Sequence, residues 1–301
     1  MVTKKKKLEP KLIKLLKNKT ILITGGAGSI GSELAKKILE YPISSVRVLD
    51  IDEHALFKLG RAVNDSRLRL LLGSILDKDR LELAGNSVDI IIHTAAIKNI
   101  EISEYNPIET IDVNINGTVN LIKMAIKLKP KIFINISTDK AADPSTLYGS
   151  TKQLSERLIG WAGNHVQPST KYSTVRFGNV FESRGNVFEI WDKENKENKP
   201  LSITNPEMKR YFIHVNEVVD FILECLPITK NGVVFVPKMK SYKIKDMASK
   251  ISFKQKVIGT RRGEKMEEIL LTKEESKRSV EYDNMWMIKP FHNSLLQKSR
   301  I

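Results

Sequence analysis

Short apolar segments alternate with helical stretches between residues 20 and 177, and this alternation restricts the fold more than any other feature of the sequence. The predicted strands lie at 20–24, 46–50, 68–72, 88–93, 131–137 and 172–177. The predicted helices between them lie at about 30–40, 53–64, 107–128 and 147–162. Apolar, β-branched strands that alternate with helices indicate a parallel sheet covered on both faces. Because crossovers between parallel strands are right-handed, we expect an α/β fold with a doubly wound parallel sheet.

The pattern changes after Phe177, where the sequence becomes polar and rich in turn-forming residues. Further helices are predicted at 215–226, 241–252 and 264–277. We divide the chain into a basic N-terminal helix (1–18), a dinucleotide-binding domain (19–178) and a smaller substrate-binding lobe (179–301). Some segments of the lobe are expected to return to the main domain.

The N-terminal segment reads as a basic amphipathic helix. Leu8, Leu12, Leu15 and Leu16 recur at helical spacing and would form one apolar stripe. We expect this stripe to pack on the protein's own main domain. Peripheral contact of the basic helix with a membrane surface is the alternative.

The chain is strongly basic, with 50 Lys and Arg residues against 35 Asp and Glu residues and a net charge of +15. Such an excess helps to attract nucleic acid, acidic membrane surfaces or a phosphorylated substrate. The basic residues are spread along the chain, and no signature of a nucleic-acid-binding module is present. We therefore expect no specific nucleic-acid partner.

Targeting signals and cysteine usage favour a cytoplasmic location. The apolar runs are far shorter than the ~20 residues that span a bilayer, so no transmembrane segment is predicted. The N-terminal lysines are not followed by a long apolar core, so no signal peptide is predicted. A single cysteine, Cys225, excludes a disulfide scaffold and a cysteine-based zinc site. The histidines show no ligand spacing, and no metal site is predicted.

The stretch "TILITGGAGSIGSEL" places Gly25, Gly28 and Gly31 between the first strand and the following helix. Gly25 permits a tight turn, Gly28 lets the backbone approach a pyrophosphate, and Gly31 lets the helix pack closely. Asp50 ends the second strand, where an acid hydrogen-bonds the ribose hydroxyls and repels a 2′-phosphate. This favours NAD as the cofactor, with NADP as the alternative. The Gly-x-x-Gly-x-x-Gly spacing resembles that of the short-chain dehydrogenase/reductase superfamily.

Tyr148 and Lys152 lie four residues apart on a predicted helix, so their side chains share one face. A lysine ammonium beside a phenol favours the phenolate, and we expect it to lower the pKa of Tyr148. Tyr148 could then accept a proton from a hydroxyl group while hydride leaves the same carbon for a nicotinamide.

Thr138, Asp139 and Lys140 follow at the carboxyl end of the fifth strand, where side chains face the ligand crevice of a parallel sheet. Oxidation of a sugar carbon acidifies the hydrogen on the next carbon. A base can remove that hydrogen while an acid expels a hydroxyl one carbon further on, and Lys140 and Asp139 would supply these groups. The alternative is an Asp–Lys pair that only caps the loop.

Four segments extend the resemblance: "STDKAADPSTLYGSTK", "HTAAIKNIEISEYNPIETIDVNINGT", "VRFGNVFESRGNV" and "PEMKRYFIHVNEVV". Together they resemble the nucleotide-sugar 4,6-dehydratases that act on UDP-N-acetylglucosamine in capsule, pseudaminic-acid and flagellin-glycan synthesis. The resemblance covers roughly residues 18–275. It implies that Tyr148 deprotonates the 4-hydroxyl as hydride passes to NAD(P)⁺, and that Lys140 removes the hydrogen from carbon 5. Asp139 then protonates the departing 6-hydroxyl, and hydride returns to carbon 6.

Other positions carry roles that the same resemblance implies. The predicted cofactor contacts also include Ser29, Ile30, Ser74, Ile75, His93, Thr94, Ala95, Asn114, Tyr148 and Lys152. The predicted substrate contacts are Lys98, Asn179, Arg210 and Arg261. Of these, the two arginines would hold the diphosphate of a UDP-sugar.

Two alternatives stay open. One is a sugar-nucleotide 4-epimerase or another nucleotide-sugar dehydratase. The other is a non-catalytic dinucleotide-binding protein whose basic surface binds nucleic acid or a membrane. In either case we expect a homo-oligomer, in which the helices around 107–128 and 147–162 could form a bundle.

Overall fold

The computed structural model describes residues 2–166 and 169–290, with side chains from Leu8 onward. Its strands are β1 (Thr20–Thr24), β2 (Ser45–Asp50), β3 (Leu68–Leu72), β4 (Ile90–His93), β5 (Ile132–Thr138), β6 (Lys171–Phe177), β7 (Asn179–Val180), β8 (Leu201–Ile203), β9 (Lys209–Ile213), β10 (Val233–Pro237), β11 (Lys240–Lys243), β12 (Gln255–Val257), β13 (Ser279–Tyr282) and β14 (Met285–Ile288). Its α-helices are α1 (Val2–Leu16), α2 (Ser29–Ile38), α3 (Glu53–Ala62), α4 (Lys78–Gly85), α5 (Ile100–Tyr105), α6 (Pro107–Ile111), α7 (Gly117–Leu128), α8 (Leu147–His165), α9 (Val187–Lys196), α10 (Val215–Cys225), α11 (Ile244–Ser249) and α12 (Lys273–Lys277). A π-helical turn, Asp112–Asn116, joins α6 to α7.

The main sheet has the order β13-β14-β10-β6-β5-β4-β1-β2-β3, and every pair from β10 to β3 is parallel. The chain winds outward in both directions from β1, so the doubly wound α/β prediction is confirmed. The strand order reverses between β1 and β4, and ligands of such sheets bind outside the carboxyl ends of the strands at this point.

Helices cover both faces of the sheet, because successive residues of each strand point to opposite sides. In β1, Ile21 and Ile23 join one core with α1, α2, α3 and α10, whereas Leu22 joins a second core with α4, α7 and α8. Leu12 and Leu16 of α1 are buried in the first core. The expected packing of this helix on its own domain is therefore confirmed. Within the described residues, no helix is long and apolar enough to cross a membrane.

The chain after β6 divides between the main sheet and a smaller layer. Strands β10, β13 and β14 extend the main sheet, and β14 runs antiparallel to both of its neighbours. Two small sheets, β11-β9-β7 and β12-β8, surround a separate core that includes Trp191, Met208 and Phe212. The domain boundaries themselves stay a prediction.

One predicted C-terminal helix, 264–277, is largely wrong, and another, 241–252, is shorter than predicted. Residues 240–243 form β11 before the short α11, and only Lys273–Lys277 of the predicted 264–277 helix is helical. The segment before α12 is instead held by tertiary contacts, since Arg210 binds the carbonyl oxygens of Lys265 and Met266. The short helices α4 and α5 were not predicted.

Candidate active site

The glycine-rich turn between β1 and α2 is packed so closely that larger residues would not fit. Gly25 has a φ of +65°, and a Cβ there would lie 2.5 Å from Cα of Ala95. A Cβ on Gly31 would lie 2.5 Å from Cα of Gly26. Glycine therefore lets the turn approach the end of β4 and lets α2 pack against it. The N-terminus of α2, beside the turn, favours a negatively charged group.

A cavity of about 390 Å³ opens over this turn, at the carboxyl ends of β1 and β2. Of the predicted cofactor residues, it is lined by Gly25, Gly28, Ser29, Ile30, Gly31, Asp50, Ser74, Ile75, Thr94 and Ala95. We call it the cofactor cavity. Its glycine floor and adjacent helix N-terminus are features that suit a dinucleotide.

The carboxylate of Asp50 is held in a defined position in the cofactor cavity. Its Oδ2 accepts a hydrogen bond from the backbone N–H of Ala27 at 2.9 Å, and its Oδ1 accepts one from Asp52 at 3.0 Å. A negative charge placed here would oppose a cofactor with a 2′-phosphate.

The side chain of His93, a predicted cofactor contact, lines neither cavity of the site. The ring is buried between Thr24, 2.8 Å from Nδ1, and Thr118, 3.2 Å from Nε2. Burial, with a smaller effect of the Lys152 charge, lowers the pKa of His93 to about 3, so the imidazole is neutral. Its role in the structure is to join β1, β4 and α7.

Asn114, another predicted cofactor contact, does not line the cofactor cavity. From the π-helical turn its Oδ1 accepts from the N–H of Ile97 at 2.8 Å, and its Nδ2 donates to the carbonyl of Ile97 at 2.9 Å. Nδ2 also donates to the hydroxyl of Thr151 at 3.0 Å. Asn114 thereby connects the loop after β4 with α8.

Tyr148 and Lys152 reach the site because α8 begins close to the end of β5. Thr146 caps the helix by accepting a hydrogen bond from the N–H of Gly149 at 3.2 Å. A Cβ on Gly149 would lie 2.6 Å from the carbonyl oxygen of Lys140. Glycine at this position therefore allows the first turn of α8 to pack on the 139–141 turn.

The side chains at the end of β5 form one connected group. Lys140 Nζ lies 3.0 Å from Oδ1 of Asp139 and 3.3 Å from Oδ1 of Asn179. The hydroxyl of Thr138 donates to the same Oδ1 of Asp139 at 2.9 Å. The other carboxylate oxygen, Oδ2, is buried and has no hydrogen-bond partner.

Burial changes the acid–base properties of Tyr148 and Lys152. Burial, and then the charge of Asp139, raises the pKa of Tyr148 well above its usual value, and a hydrogen bond with Thr138 acts in the opposite direction. Burial lowers the pKa of Lys152 to about 8, against the opposing effect of Glu156. The predicted lowering of the Tyr148 pKa is therefore wrong, because desolvation and the nearby charge of Asp139 raise this pKa.

A second cavity of about 580 Å³ lies between β5, α8 and the smaller layer. It brings together most of the predicted catalytic and substrate residues: Lys98, Thr138, Lys140, Tyr148, Lys152, Asn179, Arg210 and Arg261. We call it the substrate cavity. Asp139 is not exposed in it, so a ligand would have to reach Oδ2 or displace Lys140 from Oδ1.

The two predicted diphosphate ligands differ in how their guanidinium groups are used. Arg261 is about half exposed, and its Nε lies 3.1 Å from Glu101. Arg210 is buried, and its two Nη atoms donate to the carbonyls of Lys209 and Lys265, each at 2.8 Å. Arg261 is thus available to an anion, whereas Arg210 mainly holds the protein's own backbone.

Two charged residues stand out among the lining residues that were not predicted. Glu268 is buried with Oε1 4.0 Å from Lys140 Nζ, and burial, more than any other cause, raises the pKa of its carboxyl. Arg184 lines both cavities, and its N–H donates to Ser29 Oγ at 3.0 Å while its carbonyl accepts from Lys98. Arg184 lies within the "VRFGNVFESRGNV" segment, so the resemblance could have identified it. Glu268 lies in the segment that was incorrectly predicted as a helix, and no sequence signal pointed to it.

The family model of the polysaccharide biosynthesis proteins matches residues 21–290. The chain belongs to this family. One similar protein is the inverting UDP-N-acetylglucosamine 4,6-dehydratase of Campylobacter jejuni. It is 37% identical over 92% of this chain and 84% of its own length. A protein of Methanocaldococcus jannaschii named as an uncharacterized membrane protein is 40% identical over 91% of this chain and 87% of its own length.

Other similar proteins show the range of this family. A UDP-glucose 4-epimerase of Rickettsia bellii is 33% identical over 90% of this chain and 83% of the relative. The solved structure of Pen from Bacillus thuringiensis aligns with a TM-score of 0.88 and 34% identity, over 92% of this chain and 90% of that one. Dehydration and epimerisation both occur among these relatives, so the site of each chain must decide between the two reactions.

Proposed function

We propose that this polysaccharide biosynthesis protein is a nucleotide-sugar 4,6-dehydratase that converts UDP-N-acetylglucosamine to a UDP-4-keto-6-deoxy-N-acetylhexosamine. One observation carries the proposal: Asp139 and Lys140 form an acid–base pair beside Tyr148, at the cavity where a sugar would bind. The Campylobacter jejuni relative, which has this activity in its name, supports the same substrate.

The cofactor cavity fits NAD. Gly25 and Gly31 let the turn and α2 pack closely, so that the N-terminus of α2 lies beside the cavity where a pyrophosphate would bind, and Asp50 provides an acceptor for ribose hydroxyls. When bound, NAD supplies the acceptor and later the donor of the hydride. Tyr148 and Lys152 line the neighbouring substrate cavity, which places them at the nicotinamide end in this proposal.

The chain's own residues carry out the proton transfers. Tyr148 receives the proton of the 4-hydroxyl, and the ketone formed at carbon 4 makes the hydrogen on carbon 5 acidic. Lys140, which lines the substrate cavity, first passes its ammonium proton to Asp139 across their 3.0 Å contact and then removes this hydrogen as a neutral amine, and Asp139 protonates the departing 6-hydroxyl. General acids and bases placed in this way each contribute ~10²–10⁴-fold to the rate.

Substrate binding in this proposal relies on Arg261 for the diphosphate and on Lys98 and Asn179 for other polar groups of the UDP-sugar. All three line the substrate cavity. The net charge of +15 would assist the approach of a substrate with two negative phosphates. We place the enzyme in the cytoplasm.

We further propose a homo-oligomer. Apolar side chains are exposed on one region of α5, α6 and α8, and Tyr105 and Ile108 are 87% and 70% exposed. Apolar patches of this kind often mark protein–protein contacts. Sedimentation of the purified protein at several concentrations tests this directly.

Epimerisation is the second candidate, because one relative is named as a UDP-glucose 4-epimerase. That reaction takes place at carbon 4 only. It includes no step in which Asp139 or Lys140 would act as an acid or a base. Mass spectrometry after incubation with UDP-N-acetylglucosamine and NAD separates the candidates: a dehydratase product has lost one water, and an epimer has an unchanged mass. No turnover, together with salt-dependent binding to DNA or acidic vesicles, would favour the non-catalytic alternative.

A further inference from the structure

Glu268 is a buried acid that lines the substrate cavity, and the proposed reaction gives it no step. Its side chain is 7% exposed, and its Oε1 lies 4.0 Å from Nζ of Lys140. A carboxylate buried to this extent carries a large desolvation cost unless it is closely paired. Any charge on Glu268 therefore acts directly on the proposed base at carbon 5. The inference drawn from this contact rests on the proposed function.

Three side-chain oxygens face Nζ of Lys140. Oδ1 of Asp139 lies 3.0 Å from it and Oδ1 of Asn179 lies 3.3 Å from it, so both are within hydrogen-bonding distance. Asn179 is held in this orientation because its Nδ2 donates to the carbonyl of Tyr211 at 3.3 Å. Oε1 of Glu268, at 4.0 Å, is beyond hydrogen-bonding distance. Lys140 therefore has two carboxyl neighbours, of which Asp139 is the closer.

Two further cations, Arg210 and Lys265, act on Glu268 through their charges. The Nη atoms of Arg210 donate to backbone carbonyls, and one of them lies 3.5 Å from Oε1 of Glu264. Nζ of Lys265 lies 2.5 Å from Oδ2 of Asp143. Both cations are thus bound to other partners, which reduces their effect on Glu268.

The balance of these effects favours the neutral form of Glu268. Burial raises the pKa of its carboxyl, the charge of Lys140 opposes this shift, and the charge of Asp139 adds to it. A carboxyl that already holds its proton cannot take a second one from the ammonium of Lys140, so Asp139 is left to receive it. An ionised Glu268 would instead stabilise the ammonium and compete for its proton.

We propose that Glu268, as a neutral carboxyl, is a positioning residue that directs the proton of Lys140 to Asp139. An N–H bond of the ammonium breaks as an O–H bond forms on Asp139, and Glu268 keeps its own proton throughout. Lys140 is then a neutral amine that removes the hydrogen from carbon 5, and Asp139 holds the proton for the departing 6-hydroxyl. Ionisation of Glu268 removes this direction, so dehydration slows as the pH rises.

The test measures kcat against pH for the wild type and for Glu268→Gln, whose side chain has the same shape and cannot ionise. We expect the ratio of variant kcat to wild-type kcat to rise with pH, by up to about tenfold per unit, because only the wild type gains the opposing charge. Glu267→Gln is the control, since it removes an exposed carboxyl that pairs with Lys209. Its pH profile should follow that of the wild type.

A kcat ratio that stays constant with pH would overturn this role and mark Glu268 as structural. A ratio that falls with pH would also overturn it, because the ionised form would then be the useful one. If Glu268→Gln does not fold, the wild type alone decides, with UDP-N-acetylglucosamine that carries deuterium at carbon 5. Its isotope effect should grow as kcat falls with pH, because proton removal by Lys140 becomes the slower step. An isotope effect that does not change with pH would contradict the proposal.

Failure of the underlying function looks different. A wild-type enzyme that removes no water from UDP-N-acetylglucosamine at any pH would reject the dehydratase proposal itself. A wild-type enzyme that dehydrates its substrate with a pH profile parallel to that of Glu268→Gln would reject only the role of Glu268.

Discussion

The Nζ atom of Lys140 lies 3.0 Å from Oδ1 of Asp139 at the carboxyl end of β5. This pair is not a loop cap, because the carboxylate receives its described hydrogen bonds from the side chains of Thr138 and Lys140 and not from a backbone N–H. Burying two charges is costly unless each is well paired. An unpartnered Oδ2 beside a sugar-sized cavity therefore favours a chemical role over a structural one.

The first prediction concerns the energetic cost of Lys152. Burial lowers its pKa from 10.5 to about 8, so between these values the unfolded chain binds a proton that the folded protein does not. The free energy of unfolding should therefore rise with pH across this window and should be lowest, from this cause, below it. Lys152→Met should stabilise the ligand-free protein near neutral pH by on the order of 3 kcal/mol.

Urea unfolding of both proteins over a series of pH values checks this. Lys127→Met is the matched control, because Lys127 is largely exposed and forms a surface pair with Glu82. The stability difference between Lys152→Met and the wild type should shrink as the pH rises. A difference that stays constant with pH would contradict the assignment.

The second prediction concerns cofactor choice. Asp50→Asn removes the charge that opposes a 2′-phosphate and keeps one oxygen for the backbone N–H groups that Asp50 now binds. We expect wild-type protein to bind NAD more tightly than NADP, and the variant to narrow this preference. Calorimetric titration measures both affinities, with Asp52→Asn as the control, because Asp52 caps α3 and does not line the cavity. Tighter NADP binding by the wild type would overturn this interpretation.

The third prediction concerns substrate anchoring. Arg261→Ala should raise KM with little change in kcat, since a diphosphate contact persists through the reaction. The expected loss is about 1.5–3 kcal/mol, the range for hydrogen bonds to charged groups. The exposed pair with Glu101 adds little to this, because such pairs are weak. Arg262→Ala is the adjacent control, and an unchanged KM for Arg261→Ala would remove Arg261 from the site.

The fourth prediction concerns Glu268. Burial raises the pKa of this carboxyl, so its contribution to stability is present at low pH and declines as the pH rises through the raised pKa. Glu268→Gln should remove this decline. The unfolding free energy of the variant, relative to that of the wild type, should therefore increase as the pH rises toward neutral. The exposed neighbour Glu267, which pairs with Lys209, provides the control Glu267→Gln. Equal pH dependence in all three proteins would show that Glu268 is not desolvated.

The parallel strands β1 to β6 could be predicted because strands buried in a parallel sheet are rich in apolar residues, whereas β10, which pairs with β6 in parallel, was not predicted. The segment before α12 could not, because its path depends on contacts distant in sequence. Arg210 binds its carbonyls, and the buried Glu268 points toward Lys140. No local pattern contains this information.

The candidate site likewise has features that local sequence predicts and features that depend on the fold. Pairs that are close in sequence, such as Tyr148 with Lys152, could be recognised from spacing alone. The surroundings of His93 could not be predicted because its partners, Thr24 and Thr118, are brought to it only by the fold. The direction of the Tyr148 pKa shift was missed for a related reason, since the extent of burial cannot be read from a four-residue spacing.

The central claim is that Lys140 is the base at carbon 5 and Asp139 the acid at carbon 6. Proton NMR of UDP-N-acetylglucosamine in deuterated water with wild-type, Lys140→Ala and Asp139→Asn protein tests it most directly. The wild type should give a 6-deoxy product with deuterium at carbon 5. Lys140→Ala should neither exchange this position nor release water, and Asp139→Asn should exchange it while eliminating ~10²–10⁴-fold more slowly. Near wild-type dehydration by Lys140→Ala would contradict the account.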